Sequence, residues 1–258
     1  MAEALLITRQ DVVKFTAMNG NVDTDNFIQY VKIAQDIHIQ NFLGTDLLQK
    51  LQAEIILATS GIPTAITLTN AGTGYTTNIN LSTTATTGNG SGLEVDITET
   101  GGIIDTVSIG QAKTTGYKVN DVIVIDGGNN DAEITIDSIY SIPTDYNNLL
   151  ITYVKPMLIH WAMVEYLPFA AYTIANKGVY KHNSENATNV EKVEIDFLIE
   201  KERSIAQHYT ERFIEHISFN NDKFPEYNSN SNGDMYPDTN NNYQGWYLWR
   251  NINRNKKT

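Results

Sequence analysis

The chain has 258 residues, 41% of them apolar, a formal net charge of −12 and no cysteine. That length allows one large or two small domains. The acidity argues against nucleic acid or an anionic membrane as a partner, because both need a basic footprint. The missing cysteines remove disulfides, thiolate metal sites and cysteine nucleophiles. The first residues carry an acid, Glu3, where a secretory leader needs bases, and no window approaches the roughly 20 apolar residues of a membrane span, so a soluble, cytoplasmically made protein is expected.

Thr8 is placed to cap a short helix from Arg9 to about Ala17. Asp23 or Thr24 then caps an amphipathic helix whose broad stripe runs through Phe27, Ile28, Val31, Ile33, Ala34, Ile37 and Phe42, with Gly44 as its stop. Thr45 is expected to cap a third helix carrying Leu47, Leu48, Leu51, Ile55 and Ile56. Three helices in under sixty residues suggest a small bundle.

At Thr59 the composition changes. Of 28 threonines, 18 lie between Thr59 and Thr144, and period-two runs such as Leu93–Ile97, Val122–Ile125 and Glu133–Ile136 read as half-buried strands. The segment also reads as duplicated. Ile66–Tyr75 parallels Val107–Tyr117, and Leu93–Ile97 parallels Ala132–Ile136. Each copy predicts a strand, a Gly-Tyr turn and a hairpin, two of which can close a small sandwich or barrel.

Helical periodicity returns at Thr144. A helix from Tyr146 to about Asn176 is apolar around most of its circumference and is expected to be the most buried, bent or broken at Pro156 and Pro168 and stopped by Gly178. The polar run Lys177–Asn189 predicts a loop or hairpin, and a charged helix follows from about Val190 to Phe219. Beyond Pro225 the composition turns Asn/Ser-rich and cannot build a core, so an extended arm is expected. Its aromatic end, with Tyr243, Trp246, Tyr247, Trp249 and Arg250, is the candidate partner-binding site.

The predicted fold is α+β. A helical bundle (1–58 and 144–225) is interrupted by an inserted, duplicated β-sandwich or barrel (59–143) and followed by an extended C-terminal arm (226–258).

Chemistry-bearing residues are sparse. The histidines are His38, His160, His182, His208 and His216, and none belongs to a His-Glu-x-x-His pattern. His160 and Glu165 stand five residues apart, a spacing that does not share a helix face. Asp126-Gly-Gly-Asn-Asn-Asp131 offers oxygen ligands around glycines, but it departs from the EF-hand loop and reads better as a hairpin turn. No catalytic constellation, metal set or cofactor motif is assigned, and no enzymatic activity is expected.

Two blocks carry a resemblance. Ala-Gln-Asp-Ile-His-Ile-Gln-Asn-Phe-Leu-Gly-Thr (Ala34–Thr45) and Tyr-Val-Lys-Pro-Met-Leu-Ile-His-Trp-Ala (Tyr153–Ala162) resemble the head–tail connector, or ring adaptor, proteins of tailed bacteriophages, of the type found in crAss-like and other Bacteroidetes phages. The resemblance covers about residues 5–58 and 145–220 and leaves out the β insert. It implies a non-enzymatic virion protein at the head–tail junction, assembled as a ring of copies of itself, a dodecamer matching the portal. The partners it implies are the portal protein and other ring or tail proteins. Genomic DNA would pass through the channel without sequence-specific binding, and no membrane is involved. The rival reading makes the β domain a binding module for a polysaccharide or a host or capsid surface, with the helices as its mount. Against it, Trp161, Trp246 and Trp249 all lie outside the β segment.

Overall fold

The structure is a computed structural model; it describes residues 4–18, 24–110, 114–170, 172–175, 178–181, 192–229, 231 and 233–238, with residues 24–26, 172–175 and 178–181 as backbone only. It is a mixed α and β structure. The chain divides into two compact units, one of residues 1–6 and 49–150, the other of residues 7–48 and 151–258.

The first unit holds the end of helix α4 (Thr45–Thr59), a six-stranded sheet and helix α5 (Thr144–Asn148). The strands are β1 (Pro63–Asn70), β2 (Asn78–Ala85), β3 (Glu94–Thr100), β4 (Ile103–Ile109), β5 (Val122–Ile125) and β6 (Glu133–Ile139). All pairings are antiparallel, in the order β1-β6-β5-β2-β3-β4. The two outer strands approach each other: the Ile104 N–H donates to the Ala71 carbonyl (3.1 Å) and the Tyr75 N–H to the Gly102 carbonyl (3.0 Å). The sheet is therefore a nearly closed barrel, which hides edges that would otherwise invite pairing with other chains. Alternation sends Val95, Ile97, Ile123, Ile125, Ile134 and Ile136 inward, where all are buried.

The two sequence copies map onto the sheet. A shift of three strands along the chain turns the strand order into its own reverse, with the β2–β5 pair (Thr84 opposite Val124) at the centre. The hydrogen bonds repeat as well. Tyr75 N–H meets Gly102 just before β4, and Tyr117 N–H meets the Gly61 carbonyl (3.1 Å) just before β1. Each tyrosine then crosses to the other copy. The Tyr75 hydroxyl accepts from the Ala132 N–H (3.2 Å) and donates to the Ile125 carbonyl (2.8 Å), while the Tyr117 hydroxyl accepts from the Leu93 N–H (3.3 Å). Both rings are buried in the barrel core.

The second unit is helical, with one hairpin. It holds α1 (Arg9–Phe15), α2 (Thr24–Ala34), a π-helical turn (Gln35–Ile39), α3 (Gln40–Leu43), a second π-helical segment running in from the first unit (Leu149–Val154), α6 (Lys155–Tyr166), the hairpin β7–β8 (Tyr172–Ala175, Gly178–Lys181) and α7 (Lys192–Phe219). Thr8 caps α1 as expected, in a reciprocal box with Asp11. Burial disfavours the Asp11 carboxylate, yet the Thr8 N–H and hydroxyl and the Lys155 ammonium outweigh it and hold the group below its ordinary range.

Helix α6 is the buried one, with Met157–Ile159 and Trp161–Val164 all inaccessible. Its bounds correct the expectation of a helix to Asn176. Pro156 sits in the first turn of α6, directly after the π segment, where a residue without an N–H is tolerated. At Pro168 there is no such relief, and the helix stops at Tyr166. The β-rich Tyr172-Thr-Ile-Ala175 then pairs with Gly178–Lys181, so Gly178 opens a strand rather than ending a helix.

Thr45 differs too. Its hydroxyl does not cap α4. It donates to Asp234 (3.0 Å) and accepts from the Met235 N–H (3.2 Å), and the Thr45 N–H donates to the Met235 carbonyl (3.0 Å). Residues 226–229, 231 and 233–238, expected as the start of the arm, are thus tied to the helical unit. Ser229 and Ser231 bond the Asp46 carboxylate, Asp238 N–H meets the Asn41 carbonyl (2.7 Å), and Phe224 and Tyr227 are buried.

Candidate functional site

A concentration of polar and aromatic side chains in the helical unit lies where α6 meets its neighbours. The His38 ring, on the π turn after α2, stacks on Trp161 at 3.9 Å between centroids, and its Nε2 is 2.8 Å from Glu165 Oε1. One turn earlier on α6, His160 Nδ1 is 2.7 Å from Glu202 Oε2 on α7, and the imidazole stacks on Tyr209. Trp161 Nε1–H donates to the Thr210 hydroxyl (3.2 Å), which itself donates back to the Ala206 carbonyl. Tyr153 stacks on His216, and the Arg212 guanidinium lies over both Tyr153 and Tyr209.

Glu165 therefore does take a histidine, but His38 from 127 residues away, while His160 takes Glu202 from 42 residues away. Neither pairing leaves a local trace, because each joins different helices. Each imidazole has a flat face against an aromatic ring and one nitrogen on a carboxylate. That arrangement fixes helix position, and its two His–Glu contacts are partly buried, where pairing matters more than at the surface. A second aromatic group sits beside it. Tyr166 meets Phe27 edge-on at 5.2 Å and Tyr30 at 5.5 Å; burial, then the Tyr30 phenol, raises the Tyr166 hydroxyl above its ordinary value.

The barrel turn Asp126–Asp131 is occupied by the protein's own donors. Asp126 accepts from the Ser82 and Thr84 hydroxyls (2.9 Å each), Asp131 from the Thr73 N–H and hydroxyl (2.8 Å each), and the Asn130 side chain from the Gly127 N–H (2.8 Å). The Thr73 donors hold Asp131 below the usual carboxylate range. Gly127, Gly128 and Asn130 all have positive φ, which is what the turn reading requires. Among the described residues, no group of three or more His, Cys, Asp or Glu is set to hold a metal ion.

An exposed apolar patch of the helical unit lies at the start of α7. Val193, Phe197 and Leu198 are 75%, 69% and 45% exposed and line a shallow groove with Glu194, whereas Ala206, Phe213, Ile214 and Ile217 further along the helix are buried. The apolar side of α7 is thus covered along its later turns, while none of residues 192–200 is buried. The predicted partner-binding residues Tyr243, Trp246, Tyr247, Trp249 and Arg250 lie outside the described residues.

Residues 109–237, half of the chain, match a protein family of unknown function (DUF6712). The chain belongs to this family. The matched residues take in β5, β6, α5, α6 and α7 and end within the segment tied to Thr45. The Tyr153–Ala162 block lies inside the family match, and the Ala34–Thr45 block outside it. No curated protein matches the chain. Among the described residues no helix is long and apolar enough to cross a membrane.

Proposed function

We propose that this member of the DUF6712 family is a structural virion protein, a ring subunit that joins the portal to the tail of a tailed bacteriophage and continues the DNA channel. The observation that carries the reading is a packing one. The two blocks that resemble connector proteins, Ala34–Thr45 and Tyr153–Ala162, meet each other directly through the His38–Trp161 stack, so they form one structural element. In this reading the helical unit is the connector-like bundle. Residues 226–258 are its C-terminal arm, with 226–238 laid on the body and Tyr243–Arg250 reaching a neighbour.

Two further features support it. The helical unit exposes large apolar side chains (Phe15, Ile37, Val193, Phe197 and Phe219 among them), the kind of surface that assembly covers. The net charge of −12 suits a channel through which DNA slides without sticking. The partners are other copies in a dodecameric ring, the portal protein and further ring or tail proteins; no catalytic step, cofactor or membrane enters.

Native mass measurement and negative-stain imaging of the pure protein, with and without its portal, test this. Rings, or rings seated on the portal, are expected. A strictly monomeric protein that ignores the portal and binds glycans would overturn it in favour of the β-module reading.

A further inference from the structure

The uncovered start of α7 has a specific complement in the chain's own sequence. Helix α7 spans 28 residues, about 42 Å at 1.5 Å per residue. No residue from 192 to 200 is buried, although Val193, Ile195, Phe197, Leu198 and Ile199 are apolar. Val193 and Phe197 are one helical turn apart and, with Leu198 beside them, make one shallow apolar face of α7. The groove is rimmed by acid: this stretch carries Glu194, Asp196 and Glu200 against Lys192 alone. The final twenty residues, 239–258, have the opposite character. They hold Arg250, Arg254, Lys256 and Lys257 with no acid, next to Tyr243, Trp246, Tyr247 and Trp249.

We infer that the C-terminal segment of one copy docks its tryptophans and basic residues on Val193, Phe197 and Leu198 of a second copy. Aromatic anchors filling an apolar groove, with complementary charge around it, are what such an interface needs. The second copy is the neighbouring subunit of the ring proposed above, whose own C-terminal segment is available to the exposed start of α7.

This rests on the ring reading only in requiring two copies in contact. The test uses the full chain with Trp249→p-benzoylphenylalanine, as an equal mixture of natural-abundance and ¹⁵N-labelled protein. After irradiation and digestion, crosslinks are expected to map to residues 192–201 and to include mixed-isotope pairs. Phe197→Asp is expected to cut their yield at least tenfold while leaving the circular dichroism and melting temperature unchanged, because Phe197 is solvent-exposed; Phe197→Leu is expected to retain them. Crosslinks confined to one isotope, mapping elsewhere, insensitive to Phe197→Asp, or absent altogether would each overturn the inference. Portal binding is scored separately: crosslinking as described in a protein that ignores the portal leaves this docking intact and removes the connector reading, and the converse result does the reverse.

Discussion

The crossed tyrosines make a sharp prediction about the barrel. Tyr75→Phe removes a hydroxyl that satisfies two buried backbone groups, the Ala132 N–H and the Ile125 carbonyl. Stranding a buried N–H costs about 1–3 kcal/mol and a lost hydrogen bond about 1 kcal/mol more, so a destabilisation of about 2–4 kcal/mol is expected. Tyr117→Phe strands only the Leu93 N–H and should cost about 1–3 kcal/mol. For a unit of this size each kcal/mol lowers the melting temperature by about 4–8 °C. Residue-resolved amide exchange gives the sharper readout. Tyr75→Phe should selectively accelerate exchange at Ala132, in the second copy, and Tyr117→Phe at Leu93, in the first. If either substitution leaves its cross-copy amide as protected as in the unsubstituted protein, the reciprocal-lock account is wrong.

Three further outcomes follow from the contacts. Burial works against the Glu54 carboxylate, but Lys50 (2.7 Å) and the Tyr140 hydroxyl hold it below the ordinary glutamate value of 4.5, and the same bond raises the Tyr140 phenol. The stability from this depressed folded-state value is fully present above 4.5 and is lost as pH falls below it through the folded-state value, so Glu54→Gln should flatten the loss of urea resistance on acidification below about pH 5. Gly44→Ala forces a side chain onto φ +76° and sets a Cβ 2.8 Å from the Pro237 ring. It should cost about 1–2 kcal/mol in denaturant titrations and speed exchange of the Thr45 and Asp238 amides, with new protease cleavage between Ser231 and Asp238. Trp161→Phe keeps a ring under His38 but loses the bond to Thr210, for about 1 kcal/mol by urea denaturation, whereas Trp161→Ala opens a cavity and should cost about 3–5 kcal/mol.

What could be read in advance was whatever local periodicity or turn chemistry dictates. The Thr8 cap, the alternating barrel strands and the largely buried Met157–Val164 stretch all declare themselves within a dozen residues. The repeat was legible because Gly-Tyr recurs in matching contexts, but that each tyrosine serves the opposite copy is a tertiary fact. The end of α6 was misplaced because apolar residues continue to Ala175, while the lost hydrogen bond at Pro168 decides the matter. His38–Glu165 and His160–Glu202 had no sequence signal, since helices far apart in the chain bring them together. Thr45 had the right identity for a cap, but Asp234 and Met235 claim its hydroxyl instead.

The barrel's internal symmetry also says where it can be opened. Between β3 and β4 the chain turns through Gly101-Gly102, both with positive φ. Its symmetry mate is the place between β6 and β1, where Tyr140 N–H bonds the Ile62 carbonyl (2.7 Å) and the chain enters and leaves the barrel. The helices have thus been spliced in where the other half keeps a two-residue hairpin. A circular permutant closed by a short turn between Tyr140 and Gly61, and cut at Gly101-Gly102, presents the same six strands with the two poles exchanged.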